Sequence, residues 1–338
     1  MAVLLFSLVF DYSNGFHDSA NAIATVVSTR VLSPFQAIIM SAILNFLGAL
    51  QSTGVAQTIS SGIVDEHHVT LVVVVSAVFG AIIWNIITWY FGIPSSSSHA
   101  LIGGLIGAAV LHNATFGVLN WRTLTDKVLI PTVGSPLLGF GLGFLLMLAL
   151  MWLFRRSAPD RVNKQFRTMQ LVSSALMAYS HGTSDAQKSM GIITLALSLP
   201  VAAKVWPWLW MLPVHGAVPL WVKCVCAIAM ALGTAAGGWR IIRTMGSKIL
   251  RLQPIHGFAA ETSASIVLQT AAFLKMPVST THCISASIMG VGATRRLSAV
   301  RWGVAGNIIT AWILTLPASA LFAAMSYAIL SRLVGPGA

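Results

Sequence analysis

Two short polar patterns each occur twice in this chain, in the same order in each half. Tyr-Ser-x-Gly-x-x-Asp runs from Tyr12 to Asp18 and again from Tyr179 to Asp185. Pro-x-Ser-[Ser/Thr]-[Ser/Thr]-His runs from Pro94 to His99 and again from Pro277 to His282, and a glycine follows each histidine at the same distance (Gly107, Gly290). The chain is therefore an internal duplication. Every copy puts polar or charged groups inside a stretch otherwise apolar enough to span a bilayer. Matched breaks in matched hydrophobic segments are the sequence mark of a transporter with its site near the bilayer midplane.

Of the 338 residues 56% are hydrophobic and 8% charged, against about 25% charged in a soluble domain. With a mean hydropathy of +0.82, the sequence implies a polytopic membrane protein. The apolar start, Met1 to Phe10, has no basic flank and no cleavage signature, so it is expected to open the first span. Cys224, Cys226 and Cys283 have no metal-ligand spacing and read as small apolar residues; no structural metal is expected. The net charge of +12 does not point to nucleic acid. Thirteen of the twenty basic residues fall in four places: Arg30; Arg155, Arg156, Arg161, Lys164 and Arg167; Arg240, Arg243, Lys248 and Arg251; Arg295, Arg296 and Arg301. All flank hydrophobic spans, as cytoplasmic loops do.

Spans are expected at roughly 2–28, 34–56, 69–91, 95–112, 129–154, 168–198, 217–239, 254–274, 277–294 and 302–330. Segments 95–112 and 277–294 are short and are candidates for re-entrant half-helices. Five spans per half invert the second repeat. The expected fold is thus an all-α polytopic membrane protein of two inverted-topology repeats, residues 1–154 and 168–338, with broken helices at the midplane and a basic cytoplasmic linker at 155–167. Both termini, the turn Asp65 to His68 and the tryptophan-rich stretch Trp206 to Trp210 are expected outside.

The chain has only eight acids. Asp65, Glu66, Asp126 and Asp160 fall in loops; Asp11, Asp18, Asp185 and Glu261 fall within or beside spans. A central carboxylate costs about 2.5–3.5 kcal/mol on insertion scales, so these four need a reason. For the repeated pair Asp18 and Asp185, a cation or proton site competes with a helix-capping carboxylate, and the duplication favours the site. Ser96 and Ser279 follow a helix-interrupting proline and are good N-caps. A half-helix starting there offers free N–H groups, hydroxyls (Ser97, Ser98; Thr280, Thr281) and a positive dipole end, which suit an anion. A serine-rich kink is the competing reading. Small residues downstream (Gly103, Gly104, Gly107; Ser285, Ala286, Gly290) allow close helix approach. His99 and His282 are candidates for a proton or hydrogen-bond relay, or for simple interhelical bonding. Lys188 breaks the symmetry: it aligns with Asn21 and lies one turn past Asp185, close enough to pair with it.

Together these residues closely resemble the inorganic phosphate transporter (Pit) family, and bacterial low-affinity phosphate permeases within it. The resemblance covers nearly the whole chain: Gly15 to Asn21 with its copy Gly182 to Lys188, Asn45 to Ala49, both Pro-x-Ser motifs, and Trp312 to Pro317. It implies a cation-coupled phosphate symporter built from inverted repeats, in a bacterial-type plasma (inner) membrane. By resemblance Asp18, Asp185 and Glu261 fall on the family's essential acids, and Ser96 and Ser279 on its functional serines. The implied substrate-binding set is Ser96, Ser97, Ser98, Ser279, Thr280, Thr281, Asn21, Gln187 and Lys188; the coupling-ion set is Asp18, Asp185, Glu261 and Asn45. Asn45 stands where many sodium-coupled members carry a glutamate, and with Lys188 this favours protons over sodium.

The expected partners are phosphate, alone or as a metal complex, the lipid bilayer and, for a homodimer, a second copy of the chain. No cofactor beyond the co-transported cation and no enzymatic activity is expected. Sulfate or another oxyanion is the alternative cargo. An intramembrane hydrolase is a distant one, since neither Gly-x-Ser-x-Gly nor His-Glu-x-x-His occurs.

Overall fold

A computed structural model describes residues 2–64, 68–199 and 218–335. Its architecture is helical: α1 (Ala2–Ser28), α2 (Pro34–Gln51), α3 (Gly54–Ser61), α4 (Leu71–Phe91), α5 (Ser97–Asn113), α6 (Trp121–Leu153), α7 (Pro159–Ser198), α8 (Leu220–Ala236), α9 (Trp239–Lys248), α10 (Pro254–Phe273), α11 (Thr280–Ala293) and α12 (Trp302–Val334). The one strand-like feature among the described residues is an isolated bridge between Val64 and Leu119. Helices α2, α4, α6 and α12 are long and apolar enough to cross a membrane, and the α8–α9 pair, bent by 61°, makes a fifth candidate. Helices α5 and α11 have 17 and 14 residues, which at 1.5 Å per residue gives about 25 and 21 Å. Both fall short of a hydrocarbon core about 30 Å thick.

Three boundaries differ from the sequence expectation. The span at 34–56 breaks after Gln51, where Ser52 turns extended, and a new helix, α3, starts at Gly54. The span at 217–239 likewise breaks at Gly237, whose positive φ of 73° a glycine adopts without strain. The stretch 155–167 is helical from Pro159 onward rather than a loop. Proline at the first helical position and Asp160 in the first turn favour that start, and the first turns of the 40-residue α7 expose Arg161, Lys164 and Arg167. Asp65, Glu66, His67, Trp206 to Trp210 and both extreme termini lie outside the described residues.

The duplication persists in the packing, with the halves exchanged. Helix α1 lies against α8 and α7 against α2, while α5 lies against α12 and α11 against α6. The first crossing is the same contact made twice: a Cβ at Gly233 would strike the Tyr12 carbonyl, and one at Gly48 the Tyr179 carbonyl. Those tyrosines open the two copies of the first motif. The paired glycines of the second motif do the same for the short helices. A Cβ at Gly107 would strike the Ala320 carbonyl of α12, and one at Gly290 the Phe140 carbonyl of α6. The four basic places are tied to one another: Arg167 donates to the Arg30 carbonyl at 2.9 Å, the Arg301 N–H to Ile249 at 3.1 Å, and Ser28 to the Gly246 carbonyl.

Because both glycines meet backbone rather than a movable side chain, Gly290→Val should force α11 off α6. We expect a loss of about 1–3 kcal/mol or more, read as a lower melting temperature of the purified protein in detergent. Gly141→Ala, where nothing lies within 4 Å of the added carbon, should leave the melting temperature unchanged or slightly raised.

Candidate functional site

The starts of α5 and α11 are built alike. Ser96 and Ser279 are both extended, and each accepts the backbone N–H of the motif histidine, His99 or His282, at 3.2 Å. The two starts face each other across the middles of α1 and α7. From α5, Ser97 donates to Asp18 Oδ2 at 2.7 Å, and Ser98 donates to the Val278 carbonyl at 3.3 Å. From α11, Thr281 donates to Asp18 and Thr280 to Asp185, each at 3.3 Å. Asn21 reaches from α1 to both threonines, at 3.1 and 2.9 Å. Lys188 Nζ lies 2.8 Å from Asp185 Oδ1 and donates to Ser97 Oγ at 3.0 Å. All these side chains are buried. Sequence-distant hydroxyls thus hold two carboxylates and one ammonium at a point where two helix dipoles present their positive ends.

Two histidines that fall on unspecified positions of the first motif, His17 and His181, belong to the site. His17 Nδ1 lies 2.7 Å from Asp18, and its Nε2 faces Thr88 at 3.0 Å. His181 Nε2 lies 3.3 Å from Asp185, and its Nδ1 faces Asn45 Oδ1 at 3.1 Å. The signal was present, since His17 adjoins Asp18 and His181 sits one turn before Asp185 on a helix. One ligand atom each from Asp18, His181 and Asp185 lie within 4.8 Å of one another, close enough for a single cation to bridge them. Asn45 joins this group only through His181. Its amide donates to Thr234 at 3.0 Å.

Glu261 and Gln187 stand apart from that centre. Glu261, fully buried on α10, accepts from Thr25 at 2.5 Å, from Gln170 at 3.2 Å and from Ser173. These partners come from α1 and α7, and no sequence signal links them. Gln187 Oε1 accepts the N–H groups of Val55 at 2.8 Å and Ala56 at 3.3 Å, capping the start of α3, while its amide donates to the Thr183 carbonyl at 2.5 Å. His99 and His282 meet each other edge to face with ring centroids 4.9 Å apart. His282 also stacks on Trp312 at 4.1 Å, and His99 Nε2 faces Thr132 at 2.8 Å.

The phosphate transporter family matches residues 14–323, a range that contains every residue of this site. The chain belongs to that family. A Bacillus subtilis (strain 168) protein described as "Probable low-affinity inorganic phosphate transporter" is 46% identical over 98% of this chain and 97% of its own length. A Rhizobium meliloti (strain 1021) protein with the same description is 49% identical over 97% of this chain and 95% of its own. A solved structure described as "The sodium-dependent phosphate transporter" superimposes with a TM-score of 0.88 at 25% identity, over 98% of both chains. This phosphate transporter family member is an integral membrane protein, and its relatives are transporters rather than enzymes, which sets the hydrolase alternative aside.

The capping geometry of Gln187 yields a prediction. Gln187→Ala should cost about 1–3 kcal/mol by leaving two N–H groups at the start of α3 without an acceptor. Melting of the purified variant should show that loss, while equilibrium binding of labelled phosphate should stay within about twofold of wild type. A large loss of phosphate binding at unchanged stability would return Gln187 to the substrate site.

Proposed function

We propose that this family member is a secondary active symporter that imports inorganic phosphate across a bacterial plasma membrane by alternating access, coupled to a cation, with protons favoured over sodium. The observation that carries this reading is the convergence of two motif-built helix starts, one from each repeat, on a buried pair of carboxylates. Helix starts and hydroxyls are what a desolvated oxyanion needs. Carboxylates beside such a site weaken anion binding unless a cation or proton enters with the anion. Ser96 to Ser98, Ser279 to Thr281, Asn21 and Lys188 would contact phosphate; Asp18, Asp185 and Glu261 would take part in coupling. A divalent cation entering with phosphate as a complex would serve the same charge balance.

The two repeats, in this reading, run in opposite directions through the membrane, and the linked basic ends face the cytoplasm. Two features support protons. Lys188 already supplies a positive charge 2.8 Å from Asp185, and Asn45, bonded to Thr234 and facing His181, brings no carboxylate to an all-oxygen cage. The sodium dependence in the description of the solved relative makes sodium the competing arm of the test.

Labelled phosphate uptake into proteoliposomes under separately imposed gradients decides the matter. An inward proton gradient without sodium should drive accumulation, and a protonophore should collapse it. Ser96→Ala combined with Ser279→Ala should abolish saturable uptake in a protein that still inserts and melts cooperatively, and Asp18→Asn should eliminate concentrative uptake. Uptake that ignored protons and rose with external sodium would overturn the coupling assignment, and normal kinetics in the double serine variant would overturn the site.

A further inference from the structure

Helix α1 carries its buried carboxylate contacts at a spacing of seven residues. Asp11, Asp18 and Thr25, the last bonded to Glu261, succeed one another by two turns, so they share one face and span about 21 Å at 1.5 Å per residue. Asp18 and Glu261 belong to the function proposed above; Asp11 has no role in it. Asp11 is fully buried. Its Oδ1 accepts from Ser189 of α7 at 2.5 Å, its Oδ2 meets no nitrogen or oxygen donor, and the Cys226 thiol of α8 is the carboxyl's weak further hydrogen-bond neighbour. A tie between α1 and α7 needs no charge, and an asparagine or serine would make it without burying a carboxyl. A lone buried carboxyl oxygen is instead suited to take up and give back a proton, since either form must be balanced inside the low-dielectric core.

The duplication isolates Asp11 further. At the register that pairs Asp18 with Asp185, Asp11 pairs with Ala178 and Ser189 with Ala22. The second repeat therefore builds the same helix crossing without this pair. The groups facing Asp11 are few: the Cys226 thiol of α8 beside it, and the charges of Lys188 and Asp185 on α7. Helix α8 also carries Lys223, one turn from Cys226, whereas α2 and α4 carry no charged residue. Asp11 thus stands next to the chain position after Lys188, on the opposite side of the centre from Glu261.

We propose that Asp11 is a proton-loading site of the coupling mechanism. A proton bonds to Oδ2 when the site communicates with the outer medium, and the O–H bond breaks to release it toward the cytoplasm when phosphate leaves. This rests on the symport reading above.

The test uses the full-length protein in proteoliposomes, with labelled phosphate and an internal pH dye. Asp11→Asn should retain phosphate–phosphate exchange within about threefold of wild type, while proton-driven accumulation falls at least tenfold and phosphate-coupled acidification disappears. Asp11→Glu should restore both. Ser189→Ala, which removes the hydrogen bond and keeps the carboxyl, should still accumulate phosphate. The proposal is overturned if Asp11→Asn accumulates phosphate and moves protons as wild type does. It is equally overturned if that variant loses exchange as well, or if Ser189→Ala loses coupling in parallel, since Asp11 would then be a structural tie. Wild-type protein indifferent to protons but driven by sodium would instead defeat the proton coupling on which the proposal rests, a failure visible before any variant is made.

Discussion

The fold turns on one demand: two carboxylates and an ammonium must be kept in a water-poor interior without being left unsatisfied. Each isolated charge there would cost several kcal/mol. The chain meets the cost by ending helices at the charges. Ser97 and Thr281 donate to Asp18, Thr280 donates to Asp185, and Lys188 lies between Asp185 and Ser97. Those hydroxyls are available because α5 and α11 start there instead of passing through. The interruption that shortens both helices below bilayer thickness is therefore also what makes Asp18 and Asp185 tolerable.

Short helices in turn need protein around them, because a helix start in lipid would leave bare N–H groups. The exchanged packing provides it. α12 covers α5 and α6 covers α11, each closing on a glycine whose missing Cβ lets the backbones touch. Neither repeat covers its own short helix this way, so each half supplies a wall for the other's short helix. That exchange ties the duplicated glycines Gly107 and Gly290 to the duplicated serines Ser96 and Ser279, eleven positions earlier.

How far the sequence carried the reading depended on whether the information was local. Capping at Ser96 and Ser279, the shortness of the helices that follow, and the Asp185–Lys188 pair are local effects of spacing along a helix, and each was legible. The partners of Glu261 were not, because Thr25, Gln170 and Ser173 reach it only through the crossing of α1, α7 and α10. Gln187 shows a related limit: its neighbours in sequence line the centre, while its side-chain oxygen caps α3, whose existence depends on the break at Ser52 that an apolar 34–56 concealed. The stretch 155–167 looked like a loop because basic residues fill it. Arg161, Lys164 and Arg167 lie exposed on the first turns of α7, where charge and helix are compatible.

The hydroxyls and the carboxylate pair of the centre obey the duplication, while other charged groups depart from it. Ser97 and Ser98 match Thr280 and Thr281, and Asp18 matches Asp185. In contrast Lys188 stands opposite Asn21, Asp11 opposite Ala178 and, at the register of the second motif, Glu261 opposite Val78. The surroundings follow suit: Thr25, Gln170 and Ser173 around Glu261 correspond to Ile192, Val3 and Phe6. A fully symmetric site would present the same energy to both sides of the membrane. Under the proposed transport cycle, an anion cradle common to both repeats keeps the substrate equally well held in either orientation, and the charges carried by one partner of each pair make the two orientations differ in their response to protons and membrane potential. In that cycle the unpaired charges Asp11, Lys188 and Glu261 would supply the asymmetry, while Asp18 and Asp185, which kept the repeat, would serve both orientations alike.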